Sequence, residues 1–593
     1  MRTAVSSRFR EFARPYLGVY ALGLLLLFLT NGLALWIPWL LREAIEKLEN
    51  GSKLSSIAWL AWAMGVVAVL QACARTASRL AILGNSRKIA HDARRSFFAQ
   101  LLRLDATFYD ANRTGDVMSR GINDTRLVQA FFGPGVLNLL NTTIVYVATV
   151  VLLLRIDALL TLVSLTIYPP LMFAVNRASR RVYARSLAVQ EQLATISNHA
   201  QENISGIQQV KTYVQEAREI AAFRELCSEF RRRNLSMAAL RGVMLSLIGI
   251  VTGVGTLVVL YVGGRFVISG RIGFGDFVAF NAYLGLLVWP TIAMGWIINT
   301  FQRGLGAMER LNEVLAAQPQ DSSGFDETKV EDSADPPREV GSIEIRDLTF
   351  TYPRAGQDGH REPALKNLTL SIPSGSRLAL VGPVGSGKST LANLIARVYA
   401  APPGTVSIGG DDLNDIPARA WRRAIGYVPQ EPFLFSRTLR GNVAFVDPDA
   451  DDAAVKRAVD LARLTQDLEE MPDGLDTVIG ERGFTLSGGQ RQRATLARAI
   501  LGNPSLLILD DALSSLDADT ERSVMAGLDE LMRDRTSIFI THRPSTLVGM
   551  QRIVVLEDGC IVEEGSHEEL LARAGLYTRL FERQRLEQGL EDL

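Results

Sequence analysis

The sequence predicts an α-helical membrane domain followed by an α/β domain with a phosphate-binding loop. Six windows without Asp, Glu, Lys or Arg occur before residue 303, each near or above the ~18–20 residues that a helix needs to cross a bilayer. After residue 341 the chain alternates strand-like and helix-like segments, as α/β domains do. A glycine-rich loop lies between a short apolar strand and a helix near residue 385.

The composition excludes several classes of protein. Of 593 residues, 48% are hydrophobic and 21% charged, which excludes a disordered or collagen-like chain. Lys+Arg and Asp+Glu are both 63, so no basic excess indicates a nucleic-acid partner, and none is expected. The three cysteines lie far apart and form neither a disulfide framework nor a metal-binding spacing, so we interpret Cys73, Cys227 and Cys560 as unrelated thiols.

The charge-free windows are predicted to be membrane-spanning helices. They cover residues 15–41, 54–74, 127–154, 158–176, 242–264 and 277–302. In lipid a helix satisfies its own backbone hydrogen bonds, and the period-two alternation of a barrel is absent from these windows. The first window is longer than the apolar part of a signal peptide and lacks a small-residue cleavage site, so it is interpreted as a retained span.

The segments that connect the windows indicate how the chain is oriented in the membrane. Roughly 50 and 65 charged, helix-forming residues separate windows two and three and windows four and five. Both connectors and the N-terminus are rich in arginine, so the positive-inside rule places them in the cytoplasm. We expect the connector helices to continue the membrane helices. Polar interruptions at 110–116 and 211–216 are either short transverse helices or solvated turns.

Few charges lie near the centre of any window, and no intramembrane carboxylate or lysine indicates ion coupling. The main polar side chains there are Asn31, Asn138, Asn141 and Asn281. Tryptophans are interpreted as interfacial anchors, or as lining a cavity; they are Trp36, Trp39, Trp289 and Trp296.

Composition also sets the predicted domain boundaries. Residues 317–340 are rich in Asp, Glu, Ser, Pro and Gly, which is typical of a linker. We therefore predict a membrane domain at 1–316, a linker at 317–340, an α/β domain at 341–580 and a tail at 581–593.

The glycine-rich loop runs from Gly382 to Ser389 and is a phosphate-binding loop in its required context. We expect its backbone N–H groups and the following helix N-terminus to bind phosphates; Lys388 can reach the β- and γ-phosphates, and the Ser389 hydroxyl can ligate Mg²⁺. The apolar strand 505–510 ends in Asp510. A strand beside the loop would place this carboxylate at the Mg²⁺ site.

A second helix start with anion-binding character follows Leu486, at Ser487, Gly488, Gly489 and Gln490. One nucleotide cannot easily use both helix starts of one domain. The simplest resolution is a pair of domains that face each other head to tail, each closing the other's site.

With these motifs the chain resembles an ATP-binding cassette (ABC) exporter half-transporter over nearly its whole length, most closely the bacterial multidrug-resistance-like members. Further motifs match in family order. Tyr352 lies where an aromatic side chain stacks on adenine, and Gln430 matches the Q-loop. Residues 477–483 match the X-loop of exporters, residues 515–517 the D-loop, and His542 the switch histidine.

The resemblance implies a type I ABC exporter fold with six transmembrane helices, and ATP and Mg²⁺ as cofactors. It assigns nucleotide binding to Tyr352, Gly382, Gly385, Ser386, Gly387, Lys388, Ser389, Thr390, Ser487, Gly488, Gly489 and Gln490. It assigns Mg²⁺ to Ser389, Gln430 and Asp510, and catalysis to Asp511, His542 and Gln430. It also favours coupling helices over plain turns at the two connector tips.

Asp511 departs from the family pattern, which has Glu at this position to polarise the attacking water. The shorter side chain leaves the carboxylate about 1 Å or more short, and such a misplacement costs roughly 10²-fold in rate. Either Asp511 is a slower working base, or this site is degenerate and the chain lends its intact 486–490 segment to a partner with the Glu. We favour the second interpretation, a heterodimer.

The expected function is ATP-driven export or flipping of a hydrophobic small molecule, lipid or peptide across the bacterial cytoplasmic membrane. The expected partners are a second half-transporter and the bilayer, with the N-terminus and nucleotide-binding domain cytoplasmic. Alternatives are a homodimeric multidrug or lipid exporter with a slow Asp base, and an ATP-gated channel-like or regulatory member. The fused layout and residues 477–483 argue against an importer.

Overall fold

The computed structural model describes residues 11–166, 168–318, 340–352, 362–480 and 486–591. The chain divides into two compact units. The first comprises residues up to Phe98 together with Met118–Ala316, and the second comprises Ala99–Val117 together with everything from Ala317. The tip of the first connector therefore belongs to the second unit. Most of the predicted linker, residues 319–339, lies outside the described residues.

Residues 17–316 are helical almost throughout. The α-helices are α1 Leu17–Glu49, α2 Leu54–Arg103, α3 Ala106–Ala111, α4 Thr114–Ser119, α5 Thr125–Ala130, α6 Val136–Ile156, α7 Ala158–Leu165, α8 Tyr168–Ser205, α9 Ile207–Thr212, α10 Glu216–Ile268 and α11 Phe274–Ala316. Two π-helical turns, Arg120–Asp124 and Phe131–Gly135, join α4, α5 and α6 into one long helical stretch.

Four helical stretches of the described part are long and apolar enough to span a membrane. They are Glu11–Glu49, Leu54–Arg103, Thr114–Ile156 and Phe274–Ala316, and they contain the first, second, third and sixth charge-free windows. The windows at 158–176 and 242–264 include residues or side chains outside the described set, and their spanning remains a prediction.

The long helices continue well past the apolar windows, as expected. Helix α2 has 50 residues and α10 has 53. At 1.5 Å per residue each is about 75–80 Å long, whereas a hydrocarbon core is only about 30 Å thick.

Both connector tips contain a short helix that begins about four residues before the predicted interruption. Helix α3 is capped by Asp105, whose Oδ1 accepts a hydrogen bond from the Phe108 N–H at 3.3 Å. Helix α9 is followed by a turn in which Val214 has a φ of +54°. Short helices are therefore present at both tips, as the resemblance favoured.

The first unit has an apolar core built on α11, where Phe280 and Leu287 are fully buried. Among the polar side chains of the windows, Asn31 Nδ2 donates to Asn141 Oδ1 at 3.1 Å and so joins α1 to α6. Pairing of this kind satisfies amide groups that lipid cannot solvate.

The second unit carries two sheets. The strands are β1 Ile343–Phe350, β2 Leu365–Ile372, β3 Arg377–Val381, β4 Val406–Ile408, β5 Asp411–Asp412, β6 Ile425–Val428, β7 Leu506–Asp510, β8 Thr536–Ile540, β9 Arg552–Glu557 and β10 Cys560–Gly565. One sheet has the order β2-β1-β4-β5 and is antiparallel, and the other has the order β10-β9-β3-β8-β7-β6. In the larger sheet β9, β3, β8, β7 and β6 are parallel.

Helices lie between these strands and after the last of them. They are α12 Lys388–Ile395, α13 Ala418–Arg423, α14 Leu439–Val443, α15 Asp452–Leu461, α16 Thr465–Glu470, α17 Gly488–Leu501, α18 Ala518–Leu531, α19 Pro544–Val548, α20 His567–Ala572 and α21 Leu576–Glu591. Helix α21 runs across residue 581, where the tail was expected to begin.

The central strands β3, β7 and β8 of the six-stranded sheet are buried on both faces. In β3, Leu378 and Leu380 pack into one apolar cluster and Ala379 and Val381 into the other. Such strands read as continuous apolar runs because both faces lie in the core.

The strand that ends in Asp510 is not the immediate neighbour of the strand that precedes the phosphate loop, because β8 separates β7 from β3. All three strands are parallel, so their carboxyl ends still lie at one edge, which is where open α/β sheets bind ligands.

Candidate nucleotide site

The loop 382–387 joins β3 to α12 and needs glycine at specific positions. Gly387 has a φ of +100°, and a Cβ there would lie 2.6 Å from the Leu365 Cδ2 and 2.8 Å from the Ala364 carbonyl oxygen. Gly382 has a φ of +153°, and its Cβ would lie 2.0 Å from the Leu556 carbonyl oxygen. Gly385 has a φ of +85° with open space around it. No other residue type adopts this path without displacing backbone.

Lys388 is the first residue of α12, and its side chain folds back over the loop. Its Nζ donates to the carbonyl oxygens of Gly382 and Pro383 at 2.8 Å each, and to Ser386 Oγ at 3.3 Å. The side chain is buried, and burial lowers the pKa of the ammonium below its usual range. A desolvated cation over a glycine loop at a helix N-terminus fits a phosphate group.

Asp510 ends β7 in a buried position at the same edge of the sheet. Its carboxylate accepts a hydrogen bond from the Ser389 hydroxyl, the second residue of α12. Burial raises the pKa of Asp510, and neighbouring Asp511 raises it further, while Ser389 and Lys388 act in the opposite direction. A buried carboxylate that meets a hydroxyl beside the phosphate loop is a donor set suited to Mg²⁺, which prefers oxygen ligands and phosphates.

Asp511 and His542 lie at the ends of the two neighbouring strands. The Asp511 N–H donates to the Ile540 carbonyl oxygen at 2.8 Å, and its backbone is left-handed with a φ of +49°. Burial lowers the pKa of His542, and the Lys388 charge lowers it further, while Asp511 acts in the opposite direction. The carboxyl ends of β3, β7 and β8 thus bring these two side chains close to Lys388.

The segment around Ser487 builds the start of α17. Ser487 Oγ accepts from the Gln490 N–H at 3.2 Å, and Gln490 Oε1 accepts from the Ser487 N–H at 2.9 Å, which makes a reciprocal cap. Gln490 Nε2 also donates to Asp467 Oδ1 at 3.0 Å. A Cβ on Gly488 or Gly489 would lie 3.1–3.4 Å from atoms of the 515–516 backbone and side chains, so this helix start packs on the D-loop of its own domain.

Comparison with known proteins agrees with this geometry. The family model for the ABC transporter transmembrane region matches residues 20–291, and the model for the ABC transporter matches residues 365–514. The probable multidrug resistance ABC transporter ATP-binding/permease protein YheI of Bacillus subtilis is 32% identical over 97% of each chain.

The chain belongs to the ABC transporter family. Two further relatives are similar over almost the whole transporter. The multidrug resistance-like ATP-binding protein MdlA of Escherichia coli is 32% identical over 98% of this chain and 96% of its own. The ATP-dependent lipid A-core flippase of Syntrophus aciditrophicus is 30% identical over 98% of this chain and 95% of its own.

The fold comparison confirms the predicted fold class. The structure of a bacterial Atm1-family ABC exporter with ATP bound matches with a TM-score of 0.74 and 25% identity, covering 96% of this chain and 98% of that one. The transporter therefore has the type I exporter fold, a helical membrane domain with an α/β nucleotide-binding domain. The second unit is an ATPase domain whose activity is coupled to transport.

Tyr352 lies beside the phosphate loop of the transporter. Its hydroxyl donates to Thr390 Oγ1 at 3.0 Å, and its ring meets Tyr399 edge-on with 5.1 Å between centroids. Stacking of Tyr352 on adenine stays a prediction. Gln430 is exposed just after β6, two strands away from β8 at the same end of the sheet. Residues 481–483 of the predicted X-loop lie outside the described residues.

Sequence reasoning missed two residues that the structure places next to these motifs. Gln492 is buried on α17, where its Nε2 donates to Ser514 Oγ at 2.9 Å. Tyr399 donates its hydroxyl to Asp110 Oδ2 of α3 at 2.7 Å, and burial together with Asp110 raises the pKa of Tyr399. An amide on the apolar face of a helix was the available signal for Gln492; the partner of Tyr399 is 289 residues away and gave none.

Proposed function

We propose that the transporter exports or flips hydrophobic or amphipathic molecules across the bacterial cytoplasmic membrane, driven by ATP bound between two chains. One observation carries the proposal. A single domain holds two phosphate-binding helix starts, α12 with Lys388 and α17 with Ser487, and α17 packs against its own D-loop. A second domain placed head to tail would let each α17 close the partner's site. The proposed domain boundaries are those expected from composition, except that helix α21 continues the second domain past residue 580.

The residues at the sheet edge fit ATP and Mg²⁺. We assign the triphosphate to the backbone of loop 382–387 and to Lys388, with the adenine against Tyr352. Ser389 and Asp510, with Gln430 nearby in the fold, would hold Mg²⁺, which neutralises phosphate charge when bound. Burial lowers the pKa of His542, which favours the neutral imidazole, and we assign this side chain a hydrogen bond at the γ-phosphate.

Two exposed apolar surfaces support association with a second chain. The apolar tip (Ile207, Tyr213, Val214) projects at α9, and all three side chains are exposed. Val214 is also left-handed, a conformation that is costly for a β-branched residue and that persists where the surroundings require it.

The second surface is the aromatic patch (Phe433, Phe435, Phe445), which follows β6. Phe435 and Phe445 stack at 4.7 Å between centroids, and the Arg498 guanidinium lies 5.5 Å from the Phe445 ring centroid. Phe433 and Phe445 are exposed although the patch is rigidly built. We propose that the apolar tip of one chain docks on the aromatic patch of the other, which would carry domain closure to the membrane helices.

We further propose that the partner is a different half-transporter. The support is the combination of a fully capped α17 with Asp511 in the position that needs a longer carboxylate. Such a chain can complete the partner's site while its own site turns over slowly. A homodimer with a slow Asp base is the alternative.

The cargo class rests on the apolar helices of the first unit and on relatives whose names state multidrug resistance and lipid A-core flipping. ATP closure would switch the cavity from inward-facing to outward-facing, and hydrolysis would reopen it. The Arg-rich connectors support placing the nucleotide-binding domain in the cytoplasm.

Inside-out vesicles that contain the transporter and its partner test the proposal. We expect MgATP to drive accumulation of a fluorescent amphipathic dye against its gradient, and Lys388→Met together with the same substitution at the partner's phosphate-loop lysine to abolish it. Dye equilibration that ATP opens but never drives uphill would indicate a channel. If dye movement did not depend on MgATP at all, both the exporter and the channel interpretations would be refuted.

A further inference from the structure

The D-loop backbone is held by a side chain from the segment that carries the switch histidine. Arg543 directly follows His542, and its NH2 group donates to the carbonyl oxygens of Ser514 at 2.8 Å and Leu516 at 2.7 Å. A planar guanidinium can hold two carbonyls and a carboxylate at once, because its donors form a rigid fork.

A buried carboxylate orients Arg543. Glu521 of α18 is 2% exposed and accepts from the Arg543 NH1 group. Its other oxygen accepts from Ser545 Oγ at 2.6 Å and Thr546 Oγ1 at 2.9 Å. A carboxylate this deeply buried needs all of these hydrogen-bond partners. Glu521 therefore holds the Arg543 guanidinium in a single orientation.

Gln492 holds the same D-loop backbone from α17, the helix that follows Ser487. Its Oε1 accepts from the Ser515 N–H at 2.9 Å, and its Nε2 donates to Ser514 Oγ and, at 3.4 Å, to the Asp511 carbonyl oxygen. The 511–516 backbone is therefore fixed between α17, whose start we assign to the partner's nucleotide, and the strand end that carries His542. None of the exporter motifs includes Arg543 or Glu521.

We propose that Arg543, oriented by Glu521, is a positioning residue that couples the switch histidine to the D-loop and thereby to the surface presented to the partner's site. The inference rests on the proposed head-to-tail dimer. It assigns no contact between Arg543 and the nucleotide, so its loss should slow turnover without weakening ATP binding.

The test compares Arg543→Lys with Arg377→Lys in the full-length transporter and its partner in nanodiscs. Arg377 is a matched control because its side chain is also 19% exposed and donates to a carboxylate and a carbonyl, both of Asp529. Lysine keeps the charge at both positions but cannot serve the two D-loop carbonyls and Glu521 together. The readouts are amide hydrogen exchange of residues 511–517 without nucleotide, the ATP dissociation constant, kcat and the unfolding temperature.

For Arg543→Lys we expect roughly tenfold faster exchange at 511–517 and a roughly tenfold lower kcat, as for loss of about 1.4 kcal/mol of fixed hydrogen bonding, with the ATP dissociation constant within twofold. Arg377→Lys should leave all three unchanged. Equal exchange in the two variants, or a kcat loss matched by weaker ATP binding, would overturn the proposal.

If Arg543→Lys does not fold, Glu521→Gln provides the same test, since the amide oxygen can still accept from Ser545 and Thr546. It should reproduce the exchange and kcat pattern, and its failure to do so would also overturn the proposal. Absence of MgATP hydrolysis in the wild type would instead refute the proposed function. The hydrogen-exchange comparison is made without nucleotide, so it would still test the role of Arg543 in fixing the D-loop.

Discussion

Replacing Asp511 by Glu should increase ATP turnover, an unusual direction for a substitution at a catalytic edge. Two hydrogen bonds restrain the Asp511 backbone from moving to bring its carboxylate closer. Its N–H is bonded to Ile540, its carbonyl oxygen accepts from Gln492, and its φ of +49° is held by both. Only a longer side chain can therefore supply the missing reach.

The expected gain in ATP turnover follows from this restrained backbone. One methylene restores about 1 Å or more of reach, and a displacement of this order is worth roughly 10²-fold in rate. A left-handed backbone suits Asp better than Glu, which costs at most about 1 kcal/mol of stability. The unfolding temperature should therefore fall by no more than roughly 2–4 °C.

Steady-state ATPase rates of the purified transporter measure this prediction, with Asp511→Asn as the isosteric control. In a heterodimer whose partner carries Gln in place of its catalytic Glu, only the Asp511 site can turn over, and there we expect Asp511→Glu to raise kcat by roughly 10²-fold and Asp511→Asn to leave it within about twofold. In the heterodimer with an unaltered partner the gain should shrink to about twofold, because the partner's site already turns over.

A result in which Asp511→Asn abolishes turnover and Asp511→Glu brings no gain would refute this reasoning. Asp511 would then be a working base in its present position. The homodimer alternative would become the better account.

Three further outcomes are expected. Gly387→Ala should destabilise the transporter by about 1–3 kcal/mol more than Gly385→Ala. Both glycines have a left-handed backbone, but only the methyl group added at Gly387 would contact Ala364 and Leu365. Thermal unfolding measures the difference, and equal losses of stability would contradict the prediction. Tyr399→Phe removes the bond to α3, worth about 0.5–1 kcal/mol, so cargo-stimulated ATPase should fall two- to fivefold while basal ATPase stays within twofold; parallel losses would argue against a role in coupling. The pKa of His542 is lowered from 6.5, so the unfolded chain binds the proton first as pH falls, and stability is lost from pH 6.5 down towards the folded-state pKa. His542→Gln should therefore show a smaller fall in unfolding temperature between pH 7.5 and 5.5 than the wild type, and an equal fall would be inconsistent with this assignment.

Local patterns predicted much of the molecule. Charge-free windows located the four long apolar stretches, because crossing lipid demands uninterrupted apolar length. The strand, glycine loop and helix around Lys388 were predicted because a left-handed turn next to a helix start requires glycine. The reciprocal cap at Ser487 was likewise within reach, since its two partners are three residues apart.

Strand order was not predictable in this way. Asp510 was expected on a strand beside the phosphate loop, but nothing in the sequence indicated that β8 would lie between that strand and β3. The apolar runs of β7 and β8 are alike and buried on both faces, so neither carries a signal for its neighbour.

The sequence by itself determined the two domain classes, the phosphate loop and the departure at Asp511, because each depends on residues close together in the chain. Only the tertiary structure decided what surrounds them: the Arg543–Glu521 pair beneath the D-loop, Gln492 opposite it, and Tyr399 against α3. Those contacts join residues 22–289 positions apart, and their partners are chosen by how strands and helices pack. Local periodicity carries no information on that choice, because any buried polar group needs a partner but the pattern does not say which.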